Sequence, residues 1–210
     1  QLACPVATIG TATKHDLSAA RQSFPFSLAD NIFVNGYNDR SSYGARSFFI
    51  RGDNENWMVD APRFTKHLVN NIEARGLDYI FLTHPDDVAD AEKYAAHFGA
   101  RRVIHALEKL AQPAAEIILD EEGGTQVGGG RAIGIHPRPH QGPHGAVGAG
   151  HVLVCRGSFL PAIRVLVSWD AQIKPTEKLS NLRNVTWIFS GHGKWFPVEP
   201  GAFPEFIKTR

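Results

Sequence analysis

Histidine and aspartate are the residues of this 210-residue chain whose spacing can do chemistry. His84-Pro85-Asp86-Asp87 is followed, after two intervening residues, by Asp90. Four of the ten histidines, His136, His140, His144 and His151, fall within sixteen residues, and half of the twenty glycines lie between Gly123 and Gly150. Asp170 follows Trp169, and His192 sits in Ser190-Gly191-His192-Gly193. Neutral imidazole and carboxylate are donors that suit zinc and similar divalent ions. A bound ion brings the pKa of its water to about 7 and so supplies a hydroxide nucleophile. The chemistry on offer is metal-assisted hydrolysis, with the same ion stabilising the oxyanion.

Such residues act together only if elements bring them to one cleft, and the pattern places them after strands. Short β-type runs at 32–34, 47–50 and 57–60 are separated by turn signals, which suggests antiparallel pairing. Pro62 predicts a helix start, with Phe64, His67, Leu68 and Ile72 on its buried side and Gly76 as its stop. A continuous apolar strand over 79–82 leads directly into His84 and its aspartates. A helix is expected over 88–98, a strand over 102–105 and a short helix over 106–110, so strand, helix and strand imply a buried parallel pair. The second half gives strands at 117–119, 132–135, 152–154, 163–167 and 185–189, a hairpin around 125–127 and a helix over 174–183. Residues 203–208 read as a turn of helix. His84, the 136–144 loop, Asp170 and His192 all follow strands, where ligands usually bind in layered α/β proteins. Residues 1–30 read as an extended arm and 31–210 as one domain.

The order of these landmarks resembles the metallo-β-lactamase fold superfamily, which includes hydrolases of the glyoxalase II type. Met58-Val59-Asp60 resembles the family's early strand ending in Asp. Thr83-His84 followed by Asp90 resembles the Thr-His-x-His-x-Asp-His signature, above all in a subgroup that reads Thr-His-Arg-Asp-Asp-Val-Ala-Asp-His. Pro139-His140, Trp169-Asp170 and Gly191-His192-Gly193 resemble the three later loops, in the family order. The resemblance implies a four-layer αββα sandwich, an α/β fold. It implies His84 and His140 at a first metal position, Asp90 and His192 at a second, and Asp170 bridging.

The departures are as informative. The second His of the signature is Asp86 or Asp87 here, either of which could replace an imidazole as a ligand at the first metal position; Ala91 stands where the final His would be, and the spacing to Asp90 is two residues longer. Without that gap, the signature positions fall on Val88 and Ala89. An insertion over 142–150 follows His140, so His140 and His144 compete for one ligand role. The expectation is one zinc or other divalent ion at most. Two readings follow: a metal-dependent hydrolase of an ester, thioester or amide, with Asp90 orienting or deprotonating the water, or an inactive binding or structural subunit of a larger assembly. The partners are accordingly a small-molecule substrate or other protein subunits.

Composition narrows the field. Hydrophobic residues are 43 %, charged residues 20 % and net charge +1, which argues against intrinsic disorder and gives no electrostatic case for nucleic acid. No apolar run reaches membrane-spanning length, and residues 1–20 show no secretory signal. The chain starts at Gln1 rather than Met, which leaves open a removed leader, a fragment, and an organellar or cytoplasmic site. Cys4 and Cys155 have no metal or redox spacing, and Cys155 reads as a small buried hydrophobe. Trp169 and Trp187 read as packing residues, His67 and His97 as surface or satisfied positions, and 120–122 as a solvated turn. Tyr43 could border the cleft. The arm over 1–30 is the expected contact in any assembly.

Overall fold

A computed structural model describes residues 24–29, 31–37, 45–52, 54–119, 123–127, 131–135, 152–156, 164–166, 185–190, 195–199 and 201–208. The first sheet has seven strands in chain order: β1 (Phe26–Ala29), β2 (Ile32–Tyr37), β3 (Arg46–Ile50), β4 (Trp57–Val59), β5 (Tyr79–Leu82), β6 (Arg101–His105) and β7 (Ile117–Leu119). Strands β1 to β4 pair antiparallel, and β4 to β7 pair parallel. The second sheet holds β8 (Gly123–Val127), β9 (Arg131–Ile135), β10 (Val152–Arg156), β11 (Arg164–Leu166), β12 (Val185–Ser190) and β13 (Phe196–Pro197). Its order is β13-β12-β10-β11-β9-β8, and β8 and β9 form the expected hairpin.

Period-two alternation explains why the first sheet is covered on both faces. Phe48 and Ile50 of β3, Trp57 and Val59 of β4, Tyr79 and Phe81 of β5, and Val103 of β6 face one core. The intervening Phe49, Met58, Ile80, Leu82 and Ile104 face the other. On the second face lie α1 (Lys66–Glu73) and α2 (Ala91–Phe98), which contribute Leu68, Val69, Ile72, Ala91, Tyr94 and Ala95. On the first face lies the second sheet: Phe189 of β12 is fully buried and meets Phe48 edge-on at 5.9 Å. Trp187 stacks on Phe189 at 5.5 Å, so it packs as its sequence context implies. Trp57 and Tyr79 stack at 4.3 Å across the β4–β5 pair. Each such buried aromatic is worth roughly 1.5–3 kcal/mol of transfer free energy. The described layers are therefore helix, sheet and sheet, an α/β fold. The helix expected over 174–183 lies outside the described residues. A short helix, α3 (Phe203–Lys208), closes the described chain.

Several boundaries differ from the sequence reading. The sheet begins within the expected arm, because Phe26–Ala29 pairs with β2. Helix α1 starts at Lys66 rather than at Pro62. Thr65 caps it, its hydroxyl accepting from Leu68 N, while Phe64 N is held by the Asp90 carboxylate, which keeps 61–64 out of the helix. Val69 takes the buried place expected of His67, which is exposed with its Nε2 2.9 Å from the Phe24 carbonyl. Helix α2 starts at Ala91 rather than Val88, because a 3-10 turn (Pro85–Asp87) and a positive-φ residue, Ala89, come first. Gly99 ends α2 in the left-handed region at φ 69°, and Ala100 N returns to Ala95 O, a closure that favours glycine. The segment Ala106–Ala111 is 3-10 rather than α.

Candidate functional site

The parallel strands β4, β5 and β6 end side by side, and four polar residues close them. Asp60 follows β4, Thr83 and His84 follow β5, and His105 ends β6. All four are buried. Asp60 adopts φ 55°, a left-handed conformation that Asp tolerates better than most residues. Its Oδ1 accepts from Thr83 N at 2.8 Å and from Thr83 Oγ1 at 2.9 Å, and its Oδ2 lies 2.8 Å from the same hydroxyl. Asp60 N donates to Phe81 O at 2.8 Å, so this residue clamps the end of β5 from both its backbone and its side chain. The resemblance marks Asp60 as a landmark, and its bonds to Thr83 give that landmark a physical task.

His84 then opens the 3-10 turn. Its Nδ1 accepts from Asp86 N at 3.1 Å, and Asp87 N donates to His84 O at 3.1 Å. The Asp86 carboxylate is half exposed and 3.6 Å from the same Nδ1. Asp87 is buried, and its carbonyl accepts from Ala61 N at 3.1 Å. The Asp86 N–H bond requires a lone pair on Nδ1, so the neutral ring carries its proton on Nε2. Binding a metal through Nε2 would move that proton to Nδ1, against the Asp86 N–H.

Asp90 is committed elsewhere. Oδ2 accepts from Phe64 N at 2.8 Å. Oδ1 lies 2.9 Å from Lys93 Nζ and 3.5 Å from Arg63 Nη1. Burial would raise its pKa, but the Lys93 hydrogen bond, the Phe64 N–H, and the Lys93 and Arg63 charges together hold the carboxyl below its ordinary value. Both oxygens thus serve to tie the start of α2 to the segment before α1. Ala91, in the place of an imidazole, is fully buried in the helix-side core.

Among the described residues, no group of three or more His, Cys, Asp or Glu is arranged to hold a metal. The geometry brings His84, Asp86 and Asp87 into one turn and turns Asp90 away toward two cations. Asp90, the described residue expected at a second metal position, already has both carboxylate oxygens engaged by Phe64 N, Lys93 and Arg63. His140, His144, Asp170 and His192 lie outside the described residues, as do Tyr43, Trp169, the side chain of Cys155 and the 120–122 run. His105 and Ser47 escaped the sequence reading. A histidine at the C-terminal end of a strand was the one available signal for His105; Ser47, beside the apolar run Phe48–Ile50, gave none.

No protein-family model matches the chain, and no curated protein matches it. Solved structures of similar shape do exist. A class B3 di-zinc metallo-β-lactamase from an Alaskan soil metagenome is 16 % identical, with a TM-score of 0.40 over 52 % of this chain and 52 % of that one. A β-lactamase from Chitinophaga pinensis is 13 % identical, with a TM-score of 0.40 over 51 % of this chain and 49 % of that one. The native metallo-β-lactamase FEZ-1 of Legionella gormanii is 15 % identical, with a TM-score of 0.36 over 50 % of each chain. The matched part spans about half the length of these structures. By its own layering of helices, sheet and sheet among the described residues, the chain has an α/β fold.

Proposed function

We propose that this chain is a divergent metallo-β-lactamase-fold protein that has given up the two-metal centre and acts as a binding or structural subunit. The carrying observation is Asp90. Its carboxylate is spent on Phe64 N, Lys93 and Arg63, which couples α2 to the approach of α1. A carboxylate pinned by two cations and an amide is a poor base and a poor ligand, because its charge is already compensated. The buried Ala91 removes a further donor. Function follows the site rather than the fold.

A second reading keeps one divalent ion, zinc for example, held by His84, by His140 or His144, and by Asp170 and His192. The ion would supply Lewis-acid activation of water toward an ester, thioester or amide. The Asp60–Thr83 bonds that fix His84 at the end of β5 favour this reading. Elemental analysis of protein purified without chelator separates the two. Far less than one equivalent of zinc, iron or manganese is the expected result. A full equivalent that Asp170→Ala abolishes would establish the one-ion site and overturn the subunit reading.

A further inference from the structure

A second set of polar groups reaches the His84 turn from the far side of the sheet. Ser47, in β3, is fully buried, and Asn35, in β2, is 4 % exposed. Asn35 Nδ2 donates to Ser47 Oγ at 3.0 Å, and Ser47 Oγ donates to the Asp60 carbonyl at 2.8 Å. The directions are forced. A carbonyl only accepts, so the single hydroxyl proton of Ser47 goes to Asp60, and Asn35 must present its NH2 group to the serine oxygen. The peptide that Ser47 grips continues to Ala61, whose N–H donates to the Asp87 carbonyl at 3.1 Å. Asp87 N donates in turn to the His84 carbonyl. One peptide unit, Asp60–Ala61, is therefore bonded at both ends: to a serine on one side and to the turn on the other.

We propose that Ser47, backed by Asn35, is a positioning residue for His84, acting through the Asp60–Ala61 peptide. A donor on the carbonyl polarises the amide and strengthens its N–H as a donor at the opposite end. The same bond holds Asp60 in its left-handed conformation, from which its carboxylate reaches Thr83. His84 is thus gripped from Thr83 before it and from Asp87 after it, and both grips pass through Asp60–Ala61. A serine directly before the apolar run Phe48–Ile50 of β3 is then a requirement of the turn. This rests on the reading that the end of β5 is the functional site, whether that site binds a partner or an ion.

The test reads His84 directly, by long-range proton–nitrogen NMR of its ring, together with hydrogen exchange of the Ala61 amide, in the full chain. In the native protein the ring is expected as the Nε2–H tautomer. In Ser47→Ala, the Nδ1 and Nε2 resonances should move toward each other as the tautomers mix, and Ala61 should exchange about tenfold faster, the loss of one hydrogen bond's worth of protection. Val69→Ala, which destabilises the helix-side core without touching the chain of bonds, should leave the His84 resonances in place. A folded Ser47→Ala protein with native His84 resonances and native Ala61 exchange overturns the proposal. So does a Val69→Ala protein that moves them equally. Should Ser47→Ala fail to fold, Asn35→Ser carries the test: a smaller shift in the same direction supports the proposal, and unchanged resonances overturn it. Metal content and hydrolysis are separate readouts, so failure of the functional reading and failure of this positioning role are told apart.

Discussion

Asp90 Oδ1 lies 2.9 Å from Lys93 Nζ, one turn further along α2, while Asp90 Oδ2 takes Phe64 N at 2.8 Å. Asp90 is 10 % exposed, but Lys93 is 64 % exposed, so solvent screens the charge pair and the amide bond carries most of the energy. Asp90→Ala is expected to cost about 2 kcal/mol at neutral pH, and Asp90→Asn, which keeps an acceptor for Phe64 N, about 1 kcal/mol or less. The folded pKa is held low, so this contribution is present above the free Asp value of about 3.9 and is lost as pH falls through the folded value. Urea denaturation at pH 7 and near pH 3 checks both points. A wild-type to Asp90→Asn difference that grew toward acid would contradict the assignment.

Thr83 supplies two of the donors that the buried Asp60 carboxylate accepts, its N–H and its hydroxyl. Thr83→Val keeps the shape and the N–H but removes the hydroxyl from both carboxylate oxygens. The expected loss is about 2 kcal/mol, whereas Thr83→Ser should lose less than about 1 kcal/mol because it retains the donor. Chemical denaturation of the two variants side by side decides it. Equal losses would mean that methyl packing, rather than the hydrogen bond, fixes this strand end.

Much of the frame is legible in the chain because it rests on local pattern. Tyr79–Leu82 is a bounded apolar run, and it is β5; Phe48, Phe49 and Ile50 alternate between two cores as a strand must. What escaped depends on distant partners. Pro62 is a good first-turn residue, yet Ala61 N is spent on Asp87 O and Phe64 N on Asp90, so the helix waits for Thr65. Phe26–Ala29 has little core pattern of its own and becomes a strand only through its pairing with β2. Asp90 stands out in the sequence as a carboxylate after a signature histidine. Its partners are Lys93 on the same helix and Arg63 well upstream, and nothing local pairs the latter with it.

Arg102 is heavily bonded. Its backbone N–H, Nε and Nη2 all reach the Glu116 carboxylate, Nη1 reaches Gln112, and Nη2 also reaches the Ala114 carbonyl. Its side chain is 7 % exposed, against 37 % for Glu116, so the two halves of the pair are unequal. Glu116→Ala strands a buried guanidinium charge and is expected to cost about 3 kcal/mol; Arg102→Met leaves a carboxylate that water can reach and should cost about half as much. The Arg102 hydrogen bond, more than any other cause, holds the Glu116 carboxyl below its usual value. The stability it adds is present above about pH 4.3, the free Glu value, and fades as pH falls through the folded value. Denaturation midpoints for the two variants test the asymmetry, and a larger loss in Arg102→Met would sink it.

Ala89 sits at φ 29°, immediately before Asp90, the residue that precedes α2, in the stretch that is two residues longer than the metal signature the chain resembles. A Cβ in that region costs roughly 1–2 kcal/mol, a strain that the Val88–Asp90 turn accepts to bring Asp90 onto Phe64 N and Lys93. Ala89→Gly removes the strain and returns about 0.4–1 kcal/mol of it as extra freedom in the unfolded chain. The net expectation is a stabilisation of about 0.5–1 kcal/mol. Ala95→Gly, the same chemical change inside α2, is expected to destabilise by about 1 kcal/mol or more, since helical backbone gains nothing from glycine and a buried methyl is lost. Opposite signs in thermal or urea midpoints would locate strain at Ala89. A loss at both positions would mean that the turn is relaxed, and that the added residues reach Asp90's partners at no conformational cost.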